Sequence, residues 1–333
     1  MSFRSVISTP RAALAVRLAA TLALGWCGAA GTAAAAPESL LPAPAYVTLQ
    51  SSNAVENIAT GKVWGDLPGA HYDAASPDGT LLLVSSSTTP DVYLVATATG
   101  TKLATFDIGQ TPQGVAIGPG GRWGLAVSAG TGTVAVIDLK TRKVARKIAV
   151  GKTPHNVRFA ADGKRAYVTL QGGTGVAVLD MQTLAKTGEI PVPGIQGPHN
   201  LDVSADGHTL WVRDLAGHVA AVDLATGKEL AVIKVGAGHA GIDVIPGGRY
   251  VFTGAIADHV VDVIDPQTFR VVKRIEVGQG PHGVRASRDG RWVYVGVTAT
   301  NQIAVIDTHT LEVVRQIATN GKYPFWVSVA GNE

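Results

Sequence analysis

Thr153-Pro154-His155-Asn156-Val157-Arg158-Phe159-Ala160-Ala161-Asp162-Gly163-Lys164-Arg165-Ala166-Tyr167-Val168-Thr169-Leu170-Gln171 is the stretch on which the fold turns. A short run ending in a histidine leads into an apolar strand, then an Asp-Gly turn, then a second strand rich in β-branched and aromatic residues. The pattern returns six more times. The third residues of the lead-in runs are His71, Gln113, His155, His199, Ala240, His282 and Phe325, separated by 42, 42, 44, 41, 42 and 43 residues. A period in that range is the signature of a propeller with one four-stranded blade per repeat. The expected fold is therefore all-β, a seven-bladed β-propeller.

Within one blade, His155 to Ala160 is strand a, Arg165 to Gln171 strand b and Gly175 to Asp180 strand c, with Met181-Gln182-Thr183 turning into strand d. The ends of the chain complement each other. Tyr323 to Val329 reads as a seventh strand a, whereas Ala45-Tyr46-Val47-Thr48-Leu49-Gln50 repeats the strand b text Ala166-Tyr167-Val168-Thr169-Leu170-Gln171. The N-terminal strands are expected to complete the blade that the C-terminal strand begins, which removes exposed sheet edges.

Residues 1–36 read as a secretory signal peptide: Arg4, Arg11 and Arg17, an apolar stretch from Leu18 to Ala30, and small residues at Ala33–Ala36. Residues 37–333 are then the propeller, expected to be periplasmic or secreted. No later segment is long and apolar enough to span a bilayer. The only cysteine, Cys27, lies inside the signal; the bulky Trp26 before it disfavours lipid anchoring there. Cleavage leaves no thiol, which excludes disulfides, thiolate metal ligands and covalent c-type haem attachment. The formal charge of +3 is matched by the signal's three arginines. Nucleic acid is not indicated, since there are no basic runs.

Segments such as Thr111-Pro112-Gln113-Gly114-Val115-Ala116 and Arg165-Ala166-Tyr167-Val168-Thr169 resemble the YVTN-type secreted β-propellers. More distantly, the chain is similar to the propeller domain of d-type-haem nitrite reductases and to lactonase-like propellers. In the nitrite reductases, the resemblance implies, histidines on the propeller face meet the haem and its ligand. The fold is what such a resemblance specifies; propellers carry many unrelated activities.

The lead-in runs face the mouth of the central channel, because strand a lies nearest the axis. His71, His155, His199 and His282 share one position there. His239 is one residue out of phase, with Ala240 at the ring position. These five are the candidate metal ligands. Several imidazoles at one mouth suit copper, another transition metal such as zinc or iron, or a metal-bearing cofactor such as haem. The bland reading is a structural histidine multiplied by repeat copying. A further layer lies about three residues deeper in strand a: Asp73, Ala116, Arg158, Asp202, Asp243, Arg285 and Ser328. It reads as two inter-blade ion pairs, Arg158 with Asp202 and Asp243 with Arg285. The alternative is an Arg158/Arg285 set that binds a cofactor carboxylate such as a haem propionate. Arg213 and Asp214, where the repeat has small or hydroxyl residues, form a secondary candidate site. Asp138, Asp180, Asp223, Asp265 and Asp307 read as acceptors in c–d turns rather than an acidic site.

The motifs of serine hydrolases, zinc proteases and phosphate loops are absent. Three functions remain open: a binding protein handling a metal or metal-bearing cofactor, a metal-free scaffold gripping a peptide or protein, and a lactonase- or lyase-like enzyme with a histidine acid/base. A monomer is expected, with a periplasmic protein or small ligand on the histidine-bearing face.

Overall fold

Seven four-stranded antiparallel sheets make up the computed structural model, which describes residues 39–332. The expected signal peptide and Cys27 lie outside the described residues. Blades one to six each run a-b-c-d in sequence, with innermost strands Ala70–Ala75, Pro112–Ile117, Pro154–Phe159, Asn200–Val203, Ile242–Val244 and Pro281–Ala286. Blade seven is composite. Pro324–Val329 supplies strand a, while Ala45–Leu49, Ala54–Asn57 and Lys62–Trp64 supply b, c and d. The seam pairs Ala45 with Val329 and Tyr46 with Ser328, as the shared text of the two ends required. No helix among the described residues is long and apolar enough to cross a membrane.

Each blade buries alternating residues against both neighbours, so the core is a series of inter-blade seams. Ala116, Leu125 and Val127 of blade two, for example, meet Val157, Phe159 and Val168 of blade three. The c–d aspartates act as expected. Asp180 Oδ1 accepts the Thr183 N–H at 2.7 Å and Asp223 Oδ1 the Thr226 N–H at 2.7 Å.

Two backbone devices place the channel mouth. The first is a left-handed residue at the head of every lead-in run. Gly69, Gly197, Gly238 and Gly280 have φ of 66°, 61°, 91° and 79°; Thr111, Thr153 and Tyr323 adopt 56°, 47° and 62° without glycine's freedom. The second is a β-bulge. In blades one, two, three, six and seven the a–b register slips by one residue, as between Pro154↔Leu170 and Val157↔Val168. The bulged residues are the ring residue and its successor, such as His155-Asn156. A bulge re-aims side chains that strict alternation would send to opposite faces.

Candidate functional site

The five candidate histidines converge. The His155 and His199 rings lie 3.7 Å apart between centroids, His199 and His239 5.7 Å, and His239 and His282 4.6 Å. Phe325 closes the circle, stacked on His282 at 3.7 Å and on His71 at 4.3 Å. The bulge brings the next residues in as well. Tyr72 packs edge-on to His155 at 5.9 Å and against Trp326 at 4.5 Å. Asn156 donates to Asn200, whose amide donates to Ala240 O at 2.6 Å. Sequence reading had no signal for Tyr72, Asn156, Asn200 and Trp326, since they lie one residue past the shared ring position.

Burial sets the electrostatics. It lowers His155 to about 3 and His71 to about 4, and drives His199 and His282 well below the ordinary imidazole value. Repulsion between neighbouring imidazoles adds to the shift. His239 shifts the same way, first by burial and then by the nearby Arg213 charge. All five are therefore neutral at neutral pH. His155 Nδ1 lies 3.2 Å from His199 O and His282 Nδ1 3.0 Å from Phe325 O. A carbonyl only accepts, so both nitrogens carry the proton and both Nε2 atoms carry a lone pair. His282 Nε2 is buried without a partner, as is His199 Nδ1. Orphaned polar atoms in a core call for an explanation. His155, His199 and His282 are 8%, 3% and 0% exposed; His71 and His239 keep part of their surface in solvent.

Among the described residues, no three His, Cys, Asp or Glu side chains are arranged to hold a metal ion. The five histidines, expected as ligands of a metal or of a metal-bearing cofactor, pack as neutral rings, His155 tilted on His199 and His239 edge-on to His282.

The deeper layer is one network rather than two separate pairs. Arg158 Nε lies 3.4 Å from Asp202, as expected, and its Nη2 also reaches Asp243 at 3.3 Å. Asp243 in turn pairs with Arg285 at 2.5 Å and accepts the Ala286 N–H at 2.7 Å. A cofactor carboxylate at Arg158 or Arg285 would have to displace Asp202 or Asp243. Asp73 sits one residue short of the shared position and accepts from Ser328 Oγ at 2.6 Å.

The secondary candidates part company. Arg213 is wholly buried and donates to backbone carbonyls of the next blade, so it is not a ligand-facing cation. Asp214 orients His218 on the rim, with Oδ2 3.1 Å from Nδ1. His259 Nδ1 receives the Gly280 N–H at 3.3 Å and braces the next lead-in run.

Three solved structures share this architecture. Kuenenia stuttgartiensis hydrazine synthase is 21% identical with a TM-score of 0.72, covering 80% of this chain and 91% of that one. Dihydro-heme d1 dehydrogenase NirN in complex with DHE is 18% identical with a TM-score of 0.64, covering 88% and 76%. A functionally unknown protein from Desulfotomaculum acetoxidans DSM 771 is 13% identical with a TM-score of 0.73, covering 87% and 100%. At these identities the likeness establishes the fold. No curated protein matches the chain in sequence. A family model does: the cytochrome D1 heme domain matches residues 205–324, from blade four through blade six. That span contains His239, His282, Arg213, Asp243 and Arg285. The chain is a seven-bladed propeller that is similar, over those blades, to the cytochrome d1 haem domain.

Proposed function

We propose that this is an exported propeller whose histidine-bearing face binds a haem-type tetrapyrrole. The observation that carries the reading is the cluster itself: five imidazoles held neutral by burial, ringed by Phe325, Tyr72 and Trp326, with the lone pair of His282 Nε2 unanswered. A planar macrocycle suits a face of closely packed aromatic and imidazole rings. Its apolar body would pack against aromatic edges, and a neutral imidazole is the form that ligates iron or donates to an iron-bound group. The residues present thus fit the group. They do not fit a bare copper or zinc ion, which needs several donors about 2 Å from one point. The family match over blades four to six and the NirN fold support the haem choice.

His239, the partly exposed member, would meet the ligand first. His282 and His199 are the buried donors behind it. Phe325 stacks on His282 and Tyr72 packs edge-on to His155, excluding water from those rings. The Phe325 carbonyl fixes the His282 tautomer, as carbonyls commonly do for ligating histidines. A bound tetrapyrrole iron would supply redox chemistry or small-ligand binding. The chain's own residues would supply a dry, uncharged bed for it.

The test is an absorption titration of tag-free protein with haemin, wild type beside His239→Ala. A saturable one-to-one Soret shift in the wild type, weakened tenfold or more by the substitution, supports the site. Equal, non-saturable uptake by both proteins contradicts it.

A further inference from the structure

Blade five breaks the ring phase, and Arg213 stands where the break is made. In blades seven and three, a threonine at the corresponding place in strand b holds the ring residue of the next blade by its carbonyl. Thr48 Oγ1 donates to His71 O at 2.7 Å, and Thr169 Oγ1 to His199 O at 2.7 Å. Blade four has Arg213 there instead. Its Nη2 donates to Gly238 O at 2.5 Å and Gly236 O at 3.3 Å, its Nη1 to Thr253 Oγ1 at 2.7 Å and to Gly254 O, and its Nε to Asp214 O at 3.2 Å.

The amides of the same loop are held from the other side. Asp262 Oδ2 accepts Gly236 N–H at 2.6 Å, Asp258 Oδ2 accepts Ala237 N–H at 3.0 Å, and Leu215 O accepts Gly238 N–H at 3.0 Å. Residues 236–238 thus have their polar backbone gripped by side chains and backbone of blades four and five. The ring position itself holds a small residue packed against Gly254. Ala240 is fully buried, and its Cβ would lie 2.9 Å from a Cβ added to Gly254. The histidine stands one residue earlier, on the gripped loop, where it keeps solvent exposure while touching His199 and His282.

We infer that Arg213 is a positioning residue: by clamping residues 236–238 it lifts His239 out of the ring and makes it the ligand-facing imidazole of the site. The role of that imidazole rests on the haem reading above; the clamp does not. A buried guanidinium with this many carbonyl partners fixes one loop conformation, because releasing any of them leaves a buried polar group unanswered.

The test needs no ligand. Native protein is labelled with diethyl pyrocarbonate at pH 7 and each histidine's rate is read by mass spectrometry. In the wild type, His239 is expected to react at least tenfold faster than His155, His199 and His282. In Arg213→Thr, which restores the residue of blades three and seven, the His239 rate should fall at least fivefold, with Arg213→Lys in between. An unchanged His239 rate in a cooperatively folded Arg213→Thr protein overturns the inference. Should Arg213→Thr not fold, amide exchange in the wild type decides. Protection of Gly236 and Gly238 comparable to strand amides is expected, and exchange at exposed-loop rates overturns the clamp. The haemin titration is read separately, so a clamp without haem binding, or haem binding without a clamp, is recognisable as such.

Discussion

Lowering the pH from 7 to 5 should destabilise this propeller through its buried histidines before its c–d turn aspartates respond. His155 is 8% exposed, and burial lowers it to about 3. In the unfolded chain it returns to the ordinary value near 6.5. The folded value is the lower one, so the unfolded state binds the extra proton and stability falls as pH drops through 6.5 towards 3. At pH 5 the solution lies about 1.5 units below the unfolded imidazole's value, so this one residue removes about 2 kcal/mol, or roughly 3 °C of melting temperature for a domain of this size. His71, His199 and His282 act in the same direction. The aspartates with lowered values, such as Asp180 and Asp223, lose their contribution only as pH falls through the ordinary carboxylate range, outside this window. The assay is urea unfolding at pH 7 and pH 5 of wild type and His155→Asn. Asparagine keeps a donor near the Nδ1 position for His199 O but cannot titrate. The loss between the two pH values should be smaller in the variant by about 2 kcal/mol. Equal losses, within about 0.5 kcal/mol, would refute the buried-neutral account.

Other expectations follow from the same geometry. Asp243→Asn leaves Arg285 facing a neutral group in a buried layer while Arg158 keeps Asp202, and should cost about 3–5 kcal/mol in urea unfolding. Thr153→Gly relieves a left-handed residue at φ 47° and should be neutral or stabilising by up to about 1 kcal/mol, whereas Gly280→Ala, at φ 79° with its added Cβ 2.3 Å from Thr298 Oγ1, should destabilise clearly in the same assay. Truncation after Gly321 removes the strand a of blade seven, whose Phe325, Trp326, Val327 and Val329 are buried, and should abolish the cooperative thermal transition rather than lower its midpoint slightly.

The repeat made the architecture legible. Blade count, ring closure and the convergence of His71, His155, His199 and His282 all follow from a 42-residue period and from strand a lying innermost. Interactions that cross from one blade to the next were less legible. Arg158 and Asp202 could be paired on paper, but the second reach of Arg158 to Asp243 depends on side-chain length across the channel. The bulge that turns Tyr72 and Trp326 inward adds one residue to a strand without any composition signal. Arg213 stood out only as an odd residue in strand b; its partners are backbone carbonyls of the next blade, which no residue identity announces. His239 read as a slip of the repeat because the clamp that displaces it lies 26 residues upstream.

The central claim is that the histidine cluster is a cofactor bed. The most direct measurement is elemental analysis with an absorption spectrum of protein exported to the periplasm and purified without a histidine tag, beside His155→Ala/His199→Ala. The account predicts stoichiometric iron with a haem band, or its appearance on reconstitution, and its loss in a variant that still melts cooperatively. A colourless wild type that takes up neither haem nor metal would contradict it and make the ring a structural plug.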